Sequence, residues 1–139
     1  MTTTYEWRGA FDNADVNALH AAGFGYAPPV DADWWGQLHR HSLGWVTART
    51  AARDGAELVG FVNVAWDGDT HAFILDTLVD DAHRRRGIGR ELVAVAAGHA
   101  RAAGCAWLHV DFEDHLRPFY FDACGFTPTN AGLIALDAN

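Results

Sequence analysis

The residues with the clearest chemical potential form the run Arg84-Arg85-Arg86-Gly87-Ile88-Gly89. This run lies between an apolar, strand-like segment from Ala72 to Val79 and a helix-like segment from Arg90 to Ala103. Glycines let a backbone approach a ligand closely, and the N–H groups at a helix N-terminus point at such a ligand. The helix dipole and the arginine guanidinium groups both favour an anion at this place. The run therefore predicts a cradle for a phosphate or pyrophosphate.

Two common phosphate-binding motifs do not fit this run. The dinucleotide fingerprint needs a third glycine where Leu92 stands, and its glycines follow the strand more closely. The P-loop needs Gly-Lys-Ser/Thr, and this chain contains no lysine. What remains is a strand, an Arg-x-x-Gly-x-Gly turn and a helix.

That arrangement resembles the acyl-CoA-binding motif of the GNAT superfamily of N-acyltransferases, which reads Gln/Arg-x-x-Gly-x-Gly/Ala after a strand ending in an apolar pair. The apolar pair here is Leu78-Val79. A second segment, Pro118 to Phe126, resembles the family sequence Phe/Leu-Tyr-x-x-x-Gly-Phe, and the matching residues are Tyr120, Gly125 and Phe126. The two motifs come in the family's order and at about the family's spacing.

The resemblance extends from about Glu57 to Phe126 and implies a fold and a co-substrate. The fold would be α/β with a mixed sheet of GNAT type: a central, mostly antiparallel, splayed sheet flanked by helices. The co-substrate would be acetyl-CoA, with its pantetheine arm between the splayed strands, beside the backbone of Leu78 and Val79. Its pyrophosphate would be bound at the cradle, by Arg84, Arg85, Arg86, Gly87, Ile88, Gly89 and Arg90.

Hydrophobic periodicity and turn residues outline the elements that position these motifs. Strands are predicted at Thr2–Arg8, Gly44–Thr50, Leu58–Trp66, His71–Val79 and Trp107–Phe112, and a final strand or hairpin is expected within Thr127–Leu136. Helices are predicted near 13–22, 33–41, 87–103 and 116–124. Turn residues at Arg53-Asp54-Gly55 and at Pro28-Pro29 are expected to break the chain.

Acetyl transfer to an amine needs a general base for the attacking nitrogen and a general acid for the departing thiolate. By the resemblance, the acid is Tyr120, because the family's tyrosine hydroxyl lies near the CoA sulfur. A packed tyrosine with a satisfied hydroxyl is the alternative. The candidate base is Asp76, which interrupts an apolar strand although an unpaired buried charge is costly. Several family members place an acidic residue at or beside this position, but an aspartate that merely holds the splayed sheet is equally compatible.

Other residues are candidates for the amine-binding side. His109, Asp111 and Glu113 share one face of the predicted strand after the cradle helix, and His109 has a suitable intrinsic pKa for a base. Trp34 and Trp35 are predicted near the family's substrate-covering helix and could form an aromatic wall by stacking or cation–π contact. Their alternative role is that of core residues in a short helix.

Cysteine and histidine usage argues against other chemistries. Cys105 and Cys124 have no close pairing motif and indicate reduced thiols. Because no cysteine is well placed for a covalent acyl-enzyme, we expect direct attack of the amine on the thioester. The eight histidines lack acidic or cysteine partners at ligand spacing, and no metal site is predicted.

The charge distribution and the hydropathy of the chain limit the kinds of partner that it is expected to bind. The formal net charge is −8, yet four of the ten arginines lie between Arg84 and Arg90. Nucleic-acid binding needs a broad basic face, so no nucleic-acid partner is predicted. The acidic surface favours a cationic amine by steering, with solubility as the alternative reason. No apolar run approaches the roughly 20 residues of a membrane span, and Met1 to Arg8 lacks a signal sequence, so no membrane partner and a cytoplasmic location are expected.

Together these observations predict a single domain over residues 1–139 that transfers an acetyl group from acetyl-CoA to a primary amine of a small molecule or peptide. Two alternatives stay open. One is a non-catalytic acyl-CoA-binding or sensing module, and the other is a protein acetyltransferase acting on lysine or N-terminal amines. A homodimer would be compatible with the family.

Overall fold

The computed structural model describes residues 2–25, 32–52 and 55–137, and these contain one sheet of five strands. The strands are β1 Thr3–Trp7, β2 Ser42–Ala52, β3 Gly55–Trp66, β4 His71–Val79 and β5 Trp107–His109. Each strand lies beside the next in sequence. The first four pair antiparallel, and β5 joins β4 in parallel. The predicted mixed, mostly antiparallel sheet is thus confirmed.

Three α-helices flank this sheet within the described ranges: α1 Asn13–Phe24, α2 Trp34–His41 and α3 Ile88–Ala102. Short 3₁₀ turns at Asp81–His83 and Asp114–Leu116 and a π-helix at Pro118–Ala123 complete the regular structure. Asp33 caps α2, because its carboxylate accepts a hydrogen bond of 2.9 Å from the Gly36 amide. No helix in this part of the chain has the length and apolar character to cross a bilayer.

One face of the sheet is covered by α3, the helix that follows the cradle. Its apolar stripe meets the small and branched side chains of the central strands because apolar residues recur every three or four positions along the helix. The buried cluster on this face consists of Val46, Ala48, Val59, Val62, Val64, Ala72, Ile74, Ile88, Leu92, Ala96 and Ala100. At the edge of the cluster the His99 ring stacks on Trp7 at 4.4 Å.

The opposite face is covered by α1 and α2. Here aromatic side chains dominate, and the cluster consists of Phe11, Val16, Leu19, Trp34, Leu38, Trp45, Leu58, Phe61 and Leu78. Successive residues of a strand point to opposite faces, so each strand contributes to both clusters.

The junction between β4 and β5 is short and splayed. Pairing starts at His71–Trp107 and ends at Phe73–His109, after which no β5 residue pairs with the described remainder of β4. On its other side, β4 carries a bulge: Phe61 pairs with Leu78 and Asn63 with Leu75, so two β4 residues lie opposite one β3 residue. The sheet is therefore open on one side of the second half of β4.

Several predicted element bounds are wrong. The strand after α3 ends at His109 instead of Phe112, because the splay removes its partner strand. The predicted helix near 116–124 is a 3₁₀ turn followed by a π-helix, with Pro118 at its start. Within the described residues, Thr127–Leu136 forms no strand or hairpin, although its apolar sequence suggested one. The turn residues Arg53 and Asp54 and the pair Pro28-Pro29 lie outside the described residues.

Candidate active site

The cradle occupies the turn between β4 and α3. Gly87 is the N-cap of α3 with φ +78°, and no side chain caps the helix. Arg85 also has a positive φ of +64°. Left-handed residues alternating along a loop turn successive N–H groups toward one concavity, which is a favourable geometry for an anion. The backbone thus fits the pyrophosphate that the resemblance assigns to this place.

The surroundings of Gly87 and Gly89 explain why both positions are glycine. A Cβ at Gly87 would meet no heavy atom within 4 Å, so its role is the positive φ and the open approach to the helix end. A Cβ at Gly89 would lie 3.1 Å from the ring of Phe119 and 3.6 Å from Val79 Cγ2. Gly89 therefore lets the π-helix pack closely against the start of α3.

Polar contacts hold the cradle loop in shape. The Asp80 amide donates to the Val59 carbonyl at 2.8 Å, and Asp80 Oδ2 lies 2.8 Å from Nδ1 of the buried His83. Arg84 Nε pairs with Asp81 Oδ1 at 2.9 Å. The side chains of Arg84, Arg85, Arg86 and Arg90 are exposed. Charged groups thus surround the uncapped helix end on a loop that is anchored to β3.

Tyr120, in the π-helix, links this helix to β4. Its side chain is buried, and its hydroxyl donates to Thr77 Oγ1 at 3.2 Å. Phe112 stacks on its ring at 4.6 Å and fixes its orientation. Burial raises the pKa of Tyr120 above its ordinary value, so the phenol keeps its proton at neutral pH. That is the protonation state of a general acid.

Asp76 lies in the bulge of β4, next to Thr77. Its backbone is in the left-handed region, with φ +53°, which is uncommon for an aspartate and marks a constrained position. Burial raises the pKa of the Asp76 carboxyl, while the charge of His20 and a hydrogen bond from Asn63 moderate the rise. A carboxylate with a raised pKa is a better proton acceptor at neutral pH. Asp76 is thus the chain neighbour of Thr77, the residue that is hydrogen-bonded to Tyr120, at the point where the strands separate.

Two buried polar residues near Asp76 were not among the functional residues predicted from the sequence. Asn63 of β3 is buried, accepts a 2.5 Å hydrogen bond from Ser42 Oγ and bonds to the Asp76 carboxylate. His20 of α1 is buried as well, and its ring contacts Trp34 at 5.4 Å. One signal was present: each is a polar residue within an apolar, periodic segment, as Asp76 is.

The β5 candidates are more spread out. His109 Nε2 lies 2.7 Å from His71 Nδ1, and its ring stacks on Phe73 at 4.8 Å. Asp111 is exposed, and its charge helps to raise the pKa of Tyr120. Glu113 is exposed and lies 3.6 Å from His115. His109 is therefore at the end of the β4–β5 pairing, whereas Asp111 and Glu113 lie beyond the strand, so the three residues do not share a strand face as predicted.

The two tryptophans of α2 have different surroundings. Trp34 is a core residue whose indole N–H donates to Asn17 Oδ1. Trp35 is partly exposed and lies over β2, with ring contacts to Phe11 at 5.0 Å, Trp45 at 5.8 Å and His39 at 4.1 Å. Of the two, only Trp34 is linked to the surroundings of Asp76, through its contact with His20.

Among the described residues, neither the cysteines nor a metal centre adds a reacting group to this site. Burial raises the pKa of Cys124 to about 11, so this thiol is protonated at neutral pH. Within residues 2–25, 32–52 and 55–137, no group of three or more histidine, cysteine, aspartate or glutamate side chains has the geometry to bind a metal. Cys105 and Cys124 are both unpaired thiols.

The fold is similar to those of solved acetyltransferases. An acetyltransferase from Trypanosoma brucei superposes with a TM-score of 0.77 at 20% identity, over 95% of this chain and 99% of that one. Glucosamine-6-phosphate N-acetyltransferase from Arabidopsis thaliana gives a TM-score of 0.73 at 14% identity, over 97% and 99%. AAC(6')-Iy, in complex with the bisubstrate analogue CoA-S-monomethyl-acetylneamine, gives 0.69 at 16% identity, over all of both chains. No curated protein matches the sequence.

The strand, the uncapped helix end and the short, splayed parallel pair are the arrangement expected of an acyl-CoA-dependent transferase. The sequence model of the acetyltransferase (GNAT) family matches residues 6–126, so the chain belongs to that family. The family uses acetyl-CoA as the acetyl donor, and the predicted family, fold and enzyme class are confirmed.

Proposed function

We propose that this protein transfers the acetyl group of acetyl-CoA to a primary amine of a small molecule or peptide, with Asp76 as general base and Tyr120 as general acid. The observation that carries the proposal is that Tyr120 is bonded to the residue next to Asp76 at the splay. The Tyr120 hydroxyl lies 3.2 Å from Thr77, and Thr77 follows Asp76 in the bulge. Two titratable groups with opposite proton assignments at one opening are what amine acetylation needs.

The co-substrate supplies an acetyl thioester when it is bound. Its pyrophosphate would be held by the N–H groups of Arg85, Gly87, Ile88, Gly89 and Arg90, with charge from Arg84, Arg85, Arg86 and Arg90. Its arm would lie beside the unpaired edge of Leu78 and Val79. The uncapped N-terminus of α3 and the open edge of β4 support this assignment.

The proton transfers follow from the protonation states. Asp76 would accept a proton from the ammonium group of the amine, which frees the nitrogen lone pair for attack on the thioester carbonyl. As the new C–N bond forms and the C–S bond breaks, Tyr120 would donate its proton to the departing thiolate. The nitrogen would lose its second proton to the Tyr120 phenolate, which leaves a neutral amide and restores the phenol. A backbone N–H near Val79 would polarise the carbonyl. The raised pKa of Cys124 supports direct attack, because a protonated thiol is a poor nucleophile.

Finer assignments belong to the same proposal. We place the amine near Asp76 on the side of the sheet covered by α1 and α2, within reach of His109. Trp34, Trp35, Asp111 and Glu113 stay candidates for contacts with the acceptor.

The unpaired cysteines are compatible with a cytoplasmic location. The exposed apolar side chains of Leu133, Ile134 and Leu136 support a homodimer that covers them, which light scattering would test.

The test compares Tyr120→Phe with the parent protein. Acetyl-CoA affinity is measured by calorimetry, and CoA thiol release is measured with a panel of amines, polyamines and peptides. We expect unchanged affinity and a turnover lowered by about 10²-fold, the lower range for loss of a general acid. Unchanged turnover would remove Tyr120 from the mechanism. Binding without thiol release from any amine would favour the sensing module, and release with peptides alone would favour a protein acetyltransferase.

A further inference from the structure

An exposed aromatic surface lies on the sheet next to Asp76. It consists of Phe73 and Leu75 on β4 and Trp107 and His109 on β5, and we call it the aromatic shelf. Phe73 is 39% exposed, Leu75 41% and Trp107 64%. A contiguous group of exposed large apolar side chains on a folded domain marks a binding surface.

All four side chains point to the face that α1 and α2 cover elsewhere. Ala72 and Ile74, which alternate with them on β4, are buried against α3, and Leu108 packs on the same cluster from β5. Because strand residues alternate between faces, the shelf residues lie on the opposite side. The apolar cluster formed with α1 and α2 does not include them. This part of the face is thus uncovered within the described chain.

The shelf has a fixed shape. Phe73 and His109 are register partners, and their rings stack at 4.8 Å with an interplanar angle of 18°. His109 is in turn hydrogen-bonded to His71 at 2.7 Å. Rings that are stacked face to face present their edges to solvent, and their mutual contact holds them in place before a guest binds, which lowers the entropy cost of binding. The shelf is therefore suited to an aromatic guest that meets these rings in edge-to-face contacts.

The position of the shelf relative to Asp76 determines which part of a substrate reaches it. In the proposed function the acetyl-CoA arm runs beside Leu78 and Val79 to the bulge, so the acceptor approaches Asp76 from the other end of β4. That end carries Leu75 and then Phe73. Asp76 lies three positions along the strand from Phe73, roughly 10 Å at about 3.3 Å per residue. A ring and a short aliphatic arm cover part of this distance, and the ring contact at one end and the hydrogen bond to the carboxylate at the other cover the rest.

Charge also fits an arylalkyl ammonium ion. The Asp76 carboxylate faces the same side of the sheet as the shelf, because it bonds to Asn63, the register partner of Leu75. Exposed Asp111 and Glu113 follow the shelf on the β5 side. A cationic head would thus meet carboxylates while an apolar body meets the rings. An uncharged apolar guest would contact the rings but not the carboxylates.

We infer that the acceptor is a primary amine on an aromatic body, whose ring lies on the aromatic shelf while its nitrogen lies at Asp76. The inference rests on the proposed function and names its substrate class. The ring would lie against the edges of Phe73 and His109, and Leu75 would contact the connecting arm. Trp107 would border the far side of the ring.

The first experiment measures kcat/KM for matched amines. 2-Phenylethylamine and tryptamine are compared with 2-cyclohexylethylamine, which has the same reach but no π-face, and with n-butylamine and spermidine. We expect the aromatic amines to exceed 2-cyclohexylethylamine by about 2–10-fold, the value of an aromatic pair beyond its buried area. Turnover of spermidine or n-butylamine at equal or higher kcat/KM would overturn the inference but leave the proposed function intact. Thiol release from no amine would overturn both.

The second experiment substitutes the exposed Phe73, where a change should not prevent folding. Phe73→Tyr keeps the ring and should retain the parent KM for the aromatic amine, Phe73→Leu keeps apolar area alone, and Phe73→Ser keeps neither. We expect KM to rise in that order, about tenfold or more for Phe73→Ser, with unchanged KM for acetyl-CoA. Light scattering is measured in parallel. An unchanged amine KM together with loss of a dimer in Phe73→Ser would show that the shelf is an interface between copies and would overturn the inference.

Discussion

The two faces of the sheet are built for different purposes. The face under α3 buries a large cluster of apolar side chains beneath a regular helix. The face under α1 and α2 buries His20 and Asn63 among its aromatic residues and leaves the aromatic shelf uncovered. A buried polar group costs free energy unless it is bonded, so the second face gives up stability for polar chemistry. We expect substitutions on the α3 face to act on folding, and those near Asp76 to act on catalysis.

The largest loss of activity among variants that test this difference between the faces is expected for Asp76→Asn. Loss of a general base lowers kcat/KM by about 10²–10⁴-fold, which equals about 2.7–5.4 kcal/mol of transition-state stabilisation. The acidic limb of the pH–rate profile should also disappear, because the group that must be ionised is gone. His109→Gln is the matched comparison. If that variant, and not Asp76→Asn, removes the limb, the base is His109.

Leu92→Ala should act on stability alone. Leu92 is fully buried in the cluster on the α3 face. Truncation of such a side chain costs about 2–5 kcal/mol of unfolding free energy, through lost burial and the cavity left behind. Urea titration measures the loss, and kcat/KM per folded molecule should stay within about twofold of the parent. A tenfold loss of kcat/KM in the folded fraction would contradict the division between the faces.

His20→Gln should move the pH profile of the enzyme. The charge of His20 lowers the pKa of Asp76, against the effect of burial. Without that charge the pKa of Asp76 rises further, so the acidic limb of kcat/KM should shift to higher pH, with a loss of roughly 2–10-fold at neutral pH. A change of stability with an unmoved limb would make His20 a packing residue only.

Gly87→Ala tests the cradle at low cost to the core. A left-handed backbone costs a non-glycine residue about 1–2 kcal/mol, and Gly87 has φ +78°. We expect a severalfold rise of the KM for acetyl-CoA and a lower Tm. The control is Gly98→Ala in the middle of α3, where a Cβ meets nothing within 4 Å. That change should stabilise the helix by about 0.5–1 kcal/mol and leave the KM unchanged.

The smallest expected effect is a pH-dependent gain of stability in Asp76→Asn. Because burial raises the pKa of Asp76 in the folded state, the stability that this group contributes is present below its unfolded pKa and is lost as pH rises through the folded value. The asparagine variant does not lose it. Its Tm should therefore exceed that of the parent at pH 7, and the difference should shrink toward pH 4. A difference that is constant with pH would show that ionisation of Asp76 has no cost.

The cradle was predictable because its signal is local. A positive φ at Gly87, an uncapped helix start and neighbouring arginines are encoded within seven consecutive residues, and the strand and helix on either side have clear periodicity. The element order and the splayed, mostly antiparallel sheet followed from the same periodic segments and from the family motif. Tyr120 could be singled out in the same way, since its motif is a short run.

The amine side was not predictable in this way. His20, Asn63 and Asp76 come from three separate elements, and only the packing of α1 over β3 and β4 brings them together. The early end of β5, the bulge at Asp76 and the lack of a strand in Thr127–Leu136 depend on which backbone groups find partners, which residue types alone do not encode. The sequence thus determined the anion cradle and the order of elements, because these arise from local backbone preference and hydrophobic period. The tertiary structure decided the surroundings of Asp76 and the exposure of the aromatic shelf, because both arise from long-range packing.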